Sequence, residues 1–547
     1  MDLFVIEAPL KARTLETILK RLGFSAKVQA TKGHLFDMPE SLDVPAIDSR
    51  MREFRRVPKD IDVVKRLRSE ALMAENVIIA TDADAEGDVI AWDVATLIRD
   101  MHPNPLRVRM KGLDDDSVRA SIDAATPVRK ADAVAGRTRA IVDRLIGASF
   151  SRPDVGVGRV QTALLGLVQR DKPSTLRLNL VAPAKDGGRV FMAEAPCVAP
   201  FDPEIARRLT GMALPMISAG ATSTVASPAP HMGDIMVRAA EKLDMSPRET
   251  DDSMQRLYEQ GRLSYPRAGS RGVAPATAAK IEALLRKAGY NVDRNAMAPK
   301  TEEDVHDAPF PIGGKVDLTT NPQQLGHDEG VRAQIARDLV KTGLRFTSQP
   351  GIGAELVPFL IKSGFSQAVA EKVGSLDWRR ENGPRFPGQV TWVNGSSLET
   401  RRADAVLLEA AIAAKLGRPS TWAKHIERFM ERNLVDGDLQ LTDRGRAWIS
   451  KSPAGLLDPR ISAAIEYACE RPQPSAFGNP DREPWEINAE QIVRSLPEPL
   501  RAPLQAMVAK EAPRAKIDPI SDFGFDRSVM ADMDGLTLTH APAPIED

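Results

Sequence analysis

Short apolar runs alternate with helical patterns along the N-terminal part of the chain. Four runs have the length and apolar character of buried strands: Leu3–Ile6, Ala26–Thr31, Val77–Ala80 and Leu106–Met110. After the first run, apolar residues recur with helical spacing from Pro9, and the pattern stops at Gly23, a residue suited to ending a helix. Strands that alternate with helices form βαβ units, so the pattern predicts an α/β domain with a parallel, Rossmann-like sheet.

Acidic residues directly follow two of these predicted strands. Glu7 comes after the first strand, and Asp82, Asp84 and Glu86 come after the third. Open α/β sheets bind ligands at the carboxyl ends of their strands. Carboxylates this close repel one another unless a cation lies between them, and Mg²⁺ prefers carboxylates combined with waters and phosphates. We therefore expect these four acids to form a Mg²⁺ site, although an isolated D-x-D-x-E motif could equally be a solvated acidic turn.

Three motifs around this edge resemble a known family. They are Glu7-x-Pro9-x-Lys11, Gly33-His34 with Asp37 and Pro39, and Asp82-x-Asp84-x-Glu86-Gly87. Their order and spacing are similar to those of the Toprim domain that opens type IA DNA topoisomerases. The resemblance implies that the four acids bind the metal, that Glu7 and Lys11 take part in catalysis, and that His34 contacts DNA.

Three positions depart from the family pattern. The family usually has Arg where this chain has Ala85, Glu where it has Asp88, and Ser where it has Ala8. The missing Arg removes one phosphate contact, so we expect weaker DNA affinity near the metal.

Composition narrows the class of protein. At 547 residues the chain is too long for one core, and its 42% hydrophobic and 27% charged residues are ordinary for a soluble protein. Two cysteines exclude a disulfide framework and a multi-cysteine zinc ribbon. No apolar run is long enough to span a membrane, and Asp2 and Glu7 interrupt any secretion signal, so we expect a cytoplasmic protein. The resemblance implies that it is associated with DNA in the nucleoid.

Charge and phosphate-loop motifs bear on the function. A net charge of −1 argues against a nucleic-acid coat protein, but it allows basic residues to line one DNA groove. The sequence contains no G-x-x-x-x-G-K-[ST] phosphate loop, so nothing in it predicts a machine driven by ATP.

The segment 133–161 is the candidate DNA groove. Helical spacing places Arg139 and Asp143 on one face, where a plain ion pair on a solvated helix is the alternative interpretation. Gly158 lets the backbone approach a ligand closely, and Arg159 and Gln161 supply donors for phosphates or bases. The segment is similar to the one with which the family grips single-stranded DNA. That resemblance implies the following DNA-binding residues: Arg139, Asp143, Arg144, Gly158, Arg159 and Gln161.

The nucleophile is predicted at Tyr265. Of the four tyrosines, Tyr265 alone is followed two residues later by an arginine, Arg267, in a turn-forming stretch. The segment QRLYEQGRLSYPRAGS resembles the family's active-site segment, which implies that Tyr265 attacks the scissile phosphate beside Arg267. A proline at position 266 resembles the topoisomerase III-like branch of the family. After Arg267, Ala268-Gly269 stands where the family usually has Thr-Asp or Ser-Asp. The segment His306-Asp307-Ala308-Pro309 looks like the family's His-Glu-Ala segment and implies a DNA contact at His306.

The remaining segments complete a multidomain architecture. Two proline-punctuated stretches are predicted to form the halves of a strand-rich arch, and helices with a small hairpin follow Arg418. The resemblance implies a toroidal type IA core in which α and α+β domains and a β-rich arch follow the Toprim domain. The expected division is 1–125 for the Toprim domain, 126–175 and 411–510 for the helical DNA-binding domain, 176–225 and 351–410 for the arch, 226–350 for the helical domain with the tyrosine, and 511–547 for a loosely ordered tail.

The resemblance implies an ATP-independent type IA DNA topoisomerase. A tyrosine is weakly nucleophilic at its normal pKa of ~10, so Arg267 and Mg²⁺ would stabilise charge on the phosphate. Lys11 or Glu7 would assist proton transfer to the departing 3′ oxygen. The expected intermediate is a 5′-phosphotyrosyl enzyme, and the expected outcome is relaxation of negatively supercoiled DNA or decatenation. The expected partner is DNA with single-stranded regions, and a helicase or a single-strand-binding protein is a candidate protein partner.

Two alternative interpretations stay open. A Toprim nuclease or primase shares the acidic edge but has no tyrosine nucleophile, and a nuclease would release free DNA ends. A non-catalytic relative that binds single-stranded DNA is suggested by Ala85, Ala268 and Gly269. Such a relative would bind without metal and form no covalent product.

Overall fold

The structure is a computed structural model that describes residues 1–508 except 222, 225, 302–305, 345–346, 349, 381–383, 385 and 389–394. The predicted tail 511–547 lies outside the described residues, as does the stretch 389–394 of the second predicted arch segment. No helix in the described part of the chain is long and apolar enough to cross a membrane.

Two compact units make up the chain. The first comprises Met1–Met110, Asp115–Arg159 and the described part of the segment from Ala464 onward, and the second comprises Lys111–Asp114 and Val160–Ala463. The predicted Toprim segment therefore shares its unit with helices from the middle and the end of the chain. The finer division into seven segments stays a prediction.

The first unit is built on a five-stranded sheet. Its first elements are β1 (Asp2–Ile6), α1 (Pro9–Arg21), β2 (Ala26–Ala30), β3 (Phe36–Asp37), β4 (Val57–Pro58), α2 (Ile61–Met73), β5 (Val77–Ile79), α3 (Ala85–Leu97), β6 (Leu106–Arg107), α4 (Asp115–Asp123), β7 (Thr126–Pro127) and α5 (Lys130–Phe150). The strand order is β2-β1-β5-β6-β7, in which β7 alone is antiparallel, and β3 and β4 form a separate two-stranded sheet. The predicted α/β fold with a parallel sheet is confirmed.

Most element boundaries in this sheet follow the predicted pattern. Helix α1 begins at Pro9, and Gly23 follows its end with a φ of 85°, the left-handed conformation that favours glycine. Strand β6 is shorter than the predicted run, which extends to Met110. Beyond the strand, Val108 N still donates to Ile79 O at 2.9 Å, and Met110 forms an isolated bridge with Asp82. The chain therefore continues alongside the acidic turn instead of extending the ladder.

The second unit contains most of the helices. Its elements, together with those that close the chain, are α6 (Arg159–Asp171), β8 (Leu176–Ala182), β9 (Phe191–Pro196), α7 (Pro203–Thr210), β10 (Ser223–Thr224), α8 (Met232–Leu243), α9 (Pro247–Glu259), α10 (Pro275–Lys287), α11 (His327–Thr342), β11 (Thr347–Ser348), α12 (Val357–Lys362), α13 (Gln367–Gly374), β12 (Arg379–Arg380), β13 (Ser397–Thr400), α14 (Ala403–Ala413), α15 (Pro419–Glu431), α16 (Asp443–Lys451), α17 (Ala454–Leu457), α18 (Pro459–Glu470), α19 (Pro484–Ser495) and α20 (Glu498–Met507). Helix α6 begins in the first unit with Arg159, and α18 ends in it, whereas α19 and α20 lie wholly in the first unit.

The two predicted arch segments meet in one sheet of the second unit. Its strand order is β12-β9-β8-β13, and β8 of the first segment pairs antiparallel with β13 of the second. The second segment is more helical than predicted, because α12 and α13 precede its strands. Ser366 caps α13 by accepting from Val369 N, and Val369 and Trp378 pack into the same hydrophobic core as the sheet.

Helix α5 is enclosed by other helices of the first unit. It lies against α3, α19 and α20. Gly136 permits the close approach to α3, because a Cβ atom there would lie 2.4 Å from Val89 Cγ2. Arg139 of this helix is buried, and so are the apolar residues of the helix. The alternative of an ion pair on a solvated helix is therefore wrong for this segment.

Candidate active site

The acidic turn after β5 has a tightly fixed backbone. Asp84 caps α3, since its Oδ1 accepts from Gly87 N at 2.8 Å, and Thr81 Oγ1 donates to Gly87 O at 2.7 Å. The turn passes so close to α3 that a Cβ atom on Gly87 would lie 2.0 Å from Asp82 O. Glycine is therefore required at position 87, and the spacing of the three acids depends on it.

The buried side chain of Arg107 stabilises this turn through hydrogen bonds to its backbone. The Arg107 guanidinium donates to Thr81 O at 2.7 Å and to Asp82 O at 2.6 Å, and it contacts Asp88 Oδ1 at 3.2 Å. Asp88, the residue that departs from the usual Glu, also pairs with Arg109 at 3.0 Å. Sequence reasoning missed Arg107, although an arginine inside an apolar strand pattern beside acids was an available signal.

Glu7 and Lys11 lie at the same edge of the sheet as the acidic turn. The register of β1 and β5 pairs Val5 with Ile79, so Glu7 follows its strand where the acidic turn follows the neighbouring one. Lys11 Nζ lies 2.8 Å from both carboxylate oxygens of Asp82, and the two side chains are only 1% and 2% exposed. Such a buried pair neutralises one of the four acids in the protein itself.

His34 and Arg139 flank Glu86. His34 Nε2 lies 2.8 Å from Glu86 Oε2, and Arg139 Nη1 lies 3.7 Å from Glu86 Oε1. Burial lowers the pKa of His34, but the hydrogen bond and the charge of Glu86 outweigh it, so the pKa is raised overall. A protonated His34 would donate to Glu86 and offset its charge.

The donor chemistry of this edge fits a hard divalent cation. The predicted ligands Glu7, Asp82, Asp84 and Glu86 are all carboxylates, the ligand type that Mg²⁺ takes singly or in pairs with waters and phosphates. Within the described part of the chain, no three His, Cys, Asp or Glu side chains already converge as a ligand group. An ion at Asp82 would share that carboxylate with Lys11, since each carboxylate oxygen has a second lone pair. The assignment of the four acids as ligands stays a prediction.

Arg139 and Asp143, which were predicted to share a helix face, each form an ion pair with another residue. Arg139 Nη2 lies 2.5 Å from Glu466 Oε1, whereas Asp143 Oδ1 accepts from Arg159 Nε at 2.8 Å. Arg159 also reaches Glu466 Oε2 at 2.8 Å. Glu466 on α18 was missed by sequence reasoning, because it lies more than three hundred residues from Arg139 along the chain.

The other predicted groove residues have separate surroundings. Arg144 donates to the carbonyl oxygens of Pro39, Ser41 and Val44 at 2.6, 2.5 and 2.8 Å, and thereby fixes the loop after β3. A Cβ atom on Gly158 would meet nothing within 4 Å, so space is open there. Gln161, in the second unit, donates to His425 O at 2.7 Å. The DNA-binding roles of these residues stay predictions.

Tyr265 is held in a turn with backbone hydrogen bonds on both sides. Ser264 N donates to Phe310 O at 2.9 Å, and Tyr265 N donates to Lys111 O at 3.2 Å. The ring is 2% exposed and packs edge-on against Tyr258, with the ring centroids 5.6 Å apart. His306 also packs against this ring, with its ring centroid 4.3 Å from that of Tyr265. The structure thus brings two predicted site residues of the second unit together.

Two aspartates support the surroundings of Tyr265. Asp307 Oδ1 accepts from Ala274 N at 2.6 Å and its Oδ2 from Thr277 Oγ1 at 2.7 Å, which ties the His306 segment to the start of α10. Burial raises the pKa of Asp251 on α9, and the positive charge of Arg267 opposes that shift. Arg267 therefore has a buried carboxyl group in its electrostatic surroundings.

A second buried arginine supports the tyrosine turn. The Arg332 guanidinium on α11 donates to Arg262 O, Ile312 O and Lys315 O, each at 3.1 Å, and also to Gly313 O. Ile312 N in turn donates to Arg262 O at 3.0 Å. Arg332 thereby joins the turn before Tyr265 to the segment after His306. Sequence reasoning missed it, because nothing in the helical pattern of α11 marks an inward-facing arginine.

Comparison with known proteins finds one matching domain and similar chains. Residues 2–113 match the Toprim domain, a domain that generally binds divalent metal ions. The chain is 26% identical over 494 residues to "DNA topoisomerase I, plasmid" of Xylella fastidiosa, covering 80% of this chain and 74% of that protein. It is 27% identical over 416 residues to "Reverse gyrase 2" of Aeropyrum pernix, covering 69% of this chain but 34% of that relative.

A solved structure extends the likeness over most of the fold. Full-length topoisomerase I from Thermotoga maritima matches with a TM-score of 0.58 at 18% identity, over 90% of this chain and 89% of that one. At this identity the match shows the fold alone. Together with the Toprim match and the sequence relatives, it supports a type IA topoisomerase, an enzyme of the isomerase class.

The first prediction concerns Gly87. Gly87→Ala should lower the stability of the protein by about 2–3 kcal/mol, since the new methyl group would overlap the backbone of Asp82. Gly437→Ala is the matched control, because a Cβ atom there meets nothing within 4 Å. Urea unfolding measures both variants. Equal unfolding midpoints for the two variants would contradict the proposed close contact.

The second prediction concerns Arg332. Arg332→Met should speed hydrogen exchange at least about tenfold in the peptides that contain Ser264 and Ile312, because the carbonyl groups that join the two segments lose their shared donor. Arg337→Met removes another buried guanidinium from α11, one that donates to Pro387 O and Thr320 O. That control should leave the two peptides unchanged. Mass spectrometry of the exchanged peptides would refute the role of Arg332 if both variants gave the same pattern.

Proposed function

We propose that the chain is an ATP-independent DNA topoisomerase that cuts one strand through a covalent bond to Tyr265, passes DNA through the break and reseals it. The observation that carries the proposal is the packing of Tyr265 against His306 in a turn fixed from both sides, in a chain whose other unit has the acidic Toprim edge. The names of the relatives and the Tyr-x-Arg segment support the same chemistry.

The cleavage step exchanges one phosphate ester for another. The Tyr265 hydroxyl oxygen attacks the phosphorus and loses its proton, and the bond from phosphorus to the 3′ oxygen breaks. The product is a 5′-phosphotyrosyl enzyme and a free 3′ hydroxyl group. Because the two ester bonds have similar energy, resealing needs no ATP. Arg267 would stabilise the charge on the phosphate, and His306 would donate to a phosphate oxygen.

The acidic edge supplies the remaining chemistry. Mg²⁺ bound by Glu7, Asp82, Asp84 and Glu86 would add positive charge beside the phosphate. Lys11 is the better placed of the two candidate proton donors for the departing 3′ oxygen, since Asp82 holds its ammonium group in one position. Glu7 is the second candidate.

The substrate we propose is DNA with single-stranded regions. Arg139, Asp143, Arg144, Gly158, Arg159 and Gln161 would contact the strand, together with His34. The reaction would relax negatively supercoiled DNA or decatenate it, in the cytoplasm at the nucleoid. A helicase or a single-strand-binding protein would be a suitable partner, because either one exposes or holds the single strands on which the enzyme acts.

The third prediction tests the nucleophile. Tyr265→Phe should abolish the covalent complex with a single-stranded oligonucleotide and leave binding of that oligonucleotide within a few-fold, because one hydroxyl group is lost and the packed ring is kept. Tyr258→Phe is the matched control, since it removes the hydroxyl group of the ring packed against Tyr265. Denaturing gels detect the complex. A complex that persists without the Tyr265 hydroxyl, or one that disappears in the control alone, would place the nucleophile elsewhere.

A further inference from the structure

Charged side chains of alternating sign form a row across the first unit. In order they are His34, Glu86, Arg139, Glu466, Arg159 and Asp143, and each lies within 3.7 Å of the next. The row begins at the acidic edge of the sheet and ends on α5. It therefore joins the predicted metal site to the predicted DNA groove through residues that are mostly buried.

Glu466 is the centre of this row. Its Oε1 accepts from Arg139 Nε at 2.9 Å and from Arg139 Nη2 at 2.5 Å, and its Oε2 accepts from Arg159 Nη2 at 2.8 Å. Glu466 is 7% exposed and the two arginines are equally well buried. One carboxylate thus fixes two guanidinium groups, one on α5 and one at the start of α6.

This arrangement leaves one nitrogen of Arg139 directed at the acidic edge. Arg139 Nη1 is buried, has no hydrogen-bond partner among the described residues and lies 3.7 Å from Glu86 Oε1. A buried donor without an acceptor is costly, so the position suits an acceptor that arrives with a ligand. Because Glu466 binds the other two nitrogens, it determines where Nη1 points.

We propose that Glu466 is a positioning residue that holds Arg139 so that Nη1 meets a phosphate oxygen of the bound strand beside the acidic edge. The proposal deepens the function proposed above and rests on it. Glu466 does not touch the strand, and its effect passes through Arg139.

Two accounts of Glu466 predict opposite changes in affinity. If Glu466 contributes charge alone, its removal makes the site more positive and strengthens binding of the anionic strand. If it positions Arg139, its removal releases the guanidinium and weakens binding. When the Glu466 carboxylate is neutralised, the direction of the change in affinity for the strand therefore distinguishes the two roles.

The fourth prediction is a double-mutant cycle. Glu466→Gln should weaken binding of a fluorescent single-stranded oligonucleotide about tenfold or more, the loss expected for a misplaced charge-assisted hydrogen bond. Arg139→Gln should weaken it at least as much, and the double variant should bind no worse than Arg139→Gln alone. Fluorescence anisotropy in buffer with EDTA measures all four affinities for the full chain.

Glu470→Gln is the matched control. Glu470 lies one turn further along α18, is half exposed and is 3.9 Å from Arg139 Nη2, so its substitution removes the same charge without releasing Arg139. It should leave affinity unchanged or slightly raised. Thermal melting checks folding, and Glu466→Asp supplies a second variant, which keeps the charge but is too short to hold both arginines. This variant should also weaken binding.

The proposal is overturned if Glu466→Gln binds the oligonucleotide as tightly as the wild-type chain or more tightly, or if its effect adds fully to that of Arg139→Gln. The measurement needs neither metal nor cleavage. A failure of Tyr265→Phe to abolish the covalent complex would refute the proposed function and leave these affinities unaltered, so the two failures can be distinguished.

Discussion

The buried ion pair between Lys11 and Asp82 is the interaction on which the acidic edge depends. Carboxylates at the ends of two adjacent parallel strands repel one another, and a fold that gathers them must offset that repulsion. Lys11 does so with two contacts of 2.8 Å, and both side chains are almost completely buried. Breaking one partner of such a pair typically costs about 3–5 kcal/mol, because the other charge is left buried.

Around that pair, further positive groups lie beside Glu86 and Asp88. Arg107 binds the backbone of the turn and Asp88, His34 binds Glu86, and Glu466 keeps Arg139 largely occupied. A ligand that enters this edge therefore exchanges contacts with existing side chains. Because these neutralising groups belong to the chain, the fold can bring the acids together without a bound ion or phosphate.

Local patterns were sufficient to predict the elements that carry the site. The apolar runs predicted β1, β2 and β5, and Pro9 and Gly23 predicted both ends of α1, because these signals lie within a few residues of one another. The long-range partners could not be predicted. Arg107, Arg332 and Glu466 each act on residues far away in the sequence, and no periodicity shows which face of a strand or helix will meet them. The helices α12 and α13 were missed because their short apolar patterns resemble strands of similar length.

The central claim is that Tyr265 forms a covalent bond to the 5′ side of a DNA break. The most direct measurement uses one single-stranded oligonucleotide labelled at its 5′ end and another labelled at its 3′ end, each incubated with Mg²⁺ and the enzyme and then denatured. We expect the 3′ label alone to migrate with the protein, because the 5′ phosphate of the downstream fragment is bound to the tyrosine. Free cleaved ends in both reactions, or a 5′ label that migrates with the protein, would contradict the account.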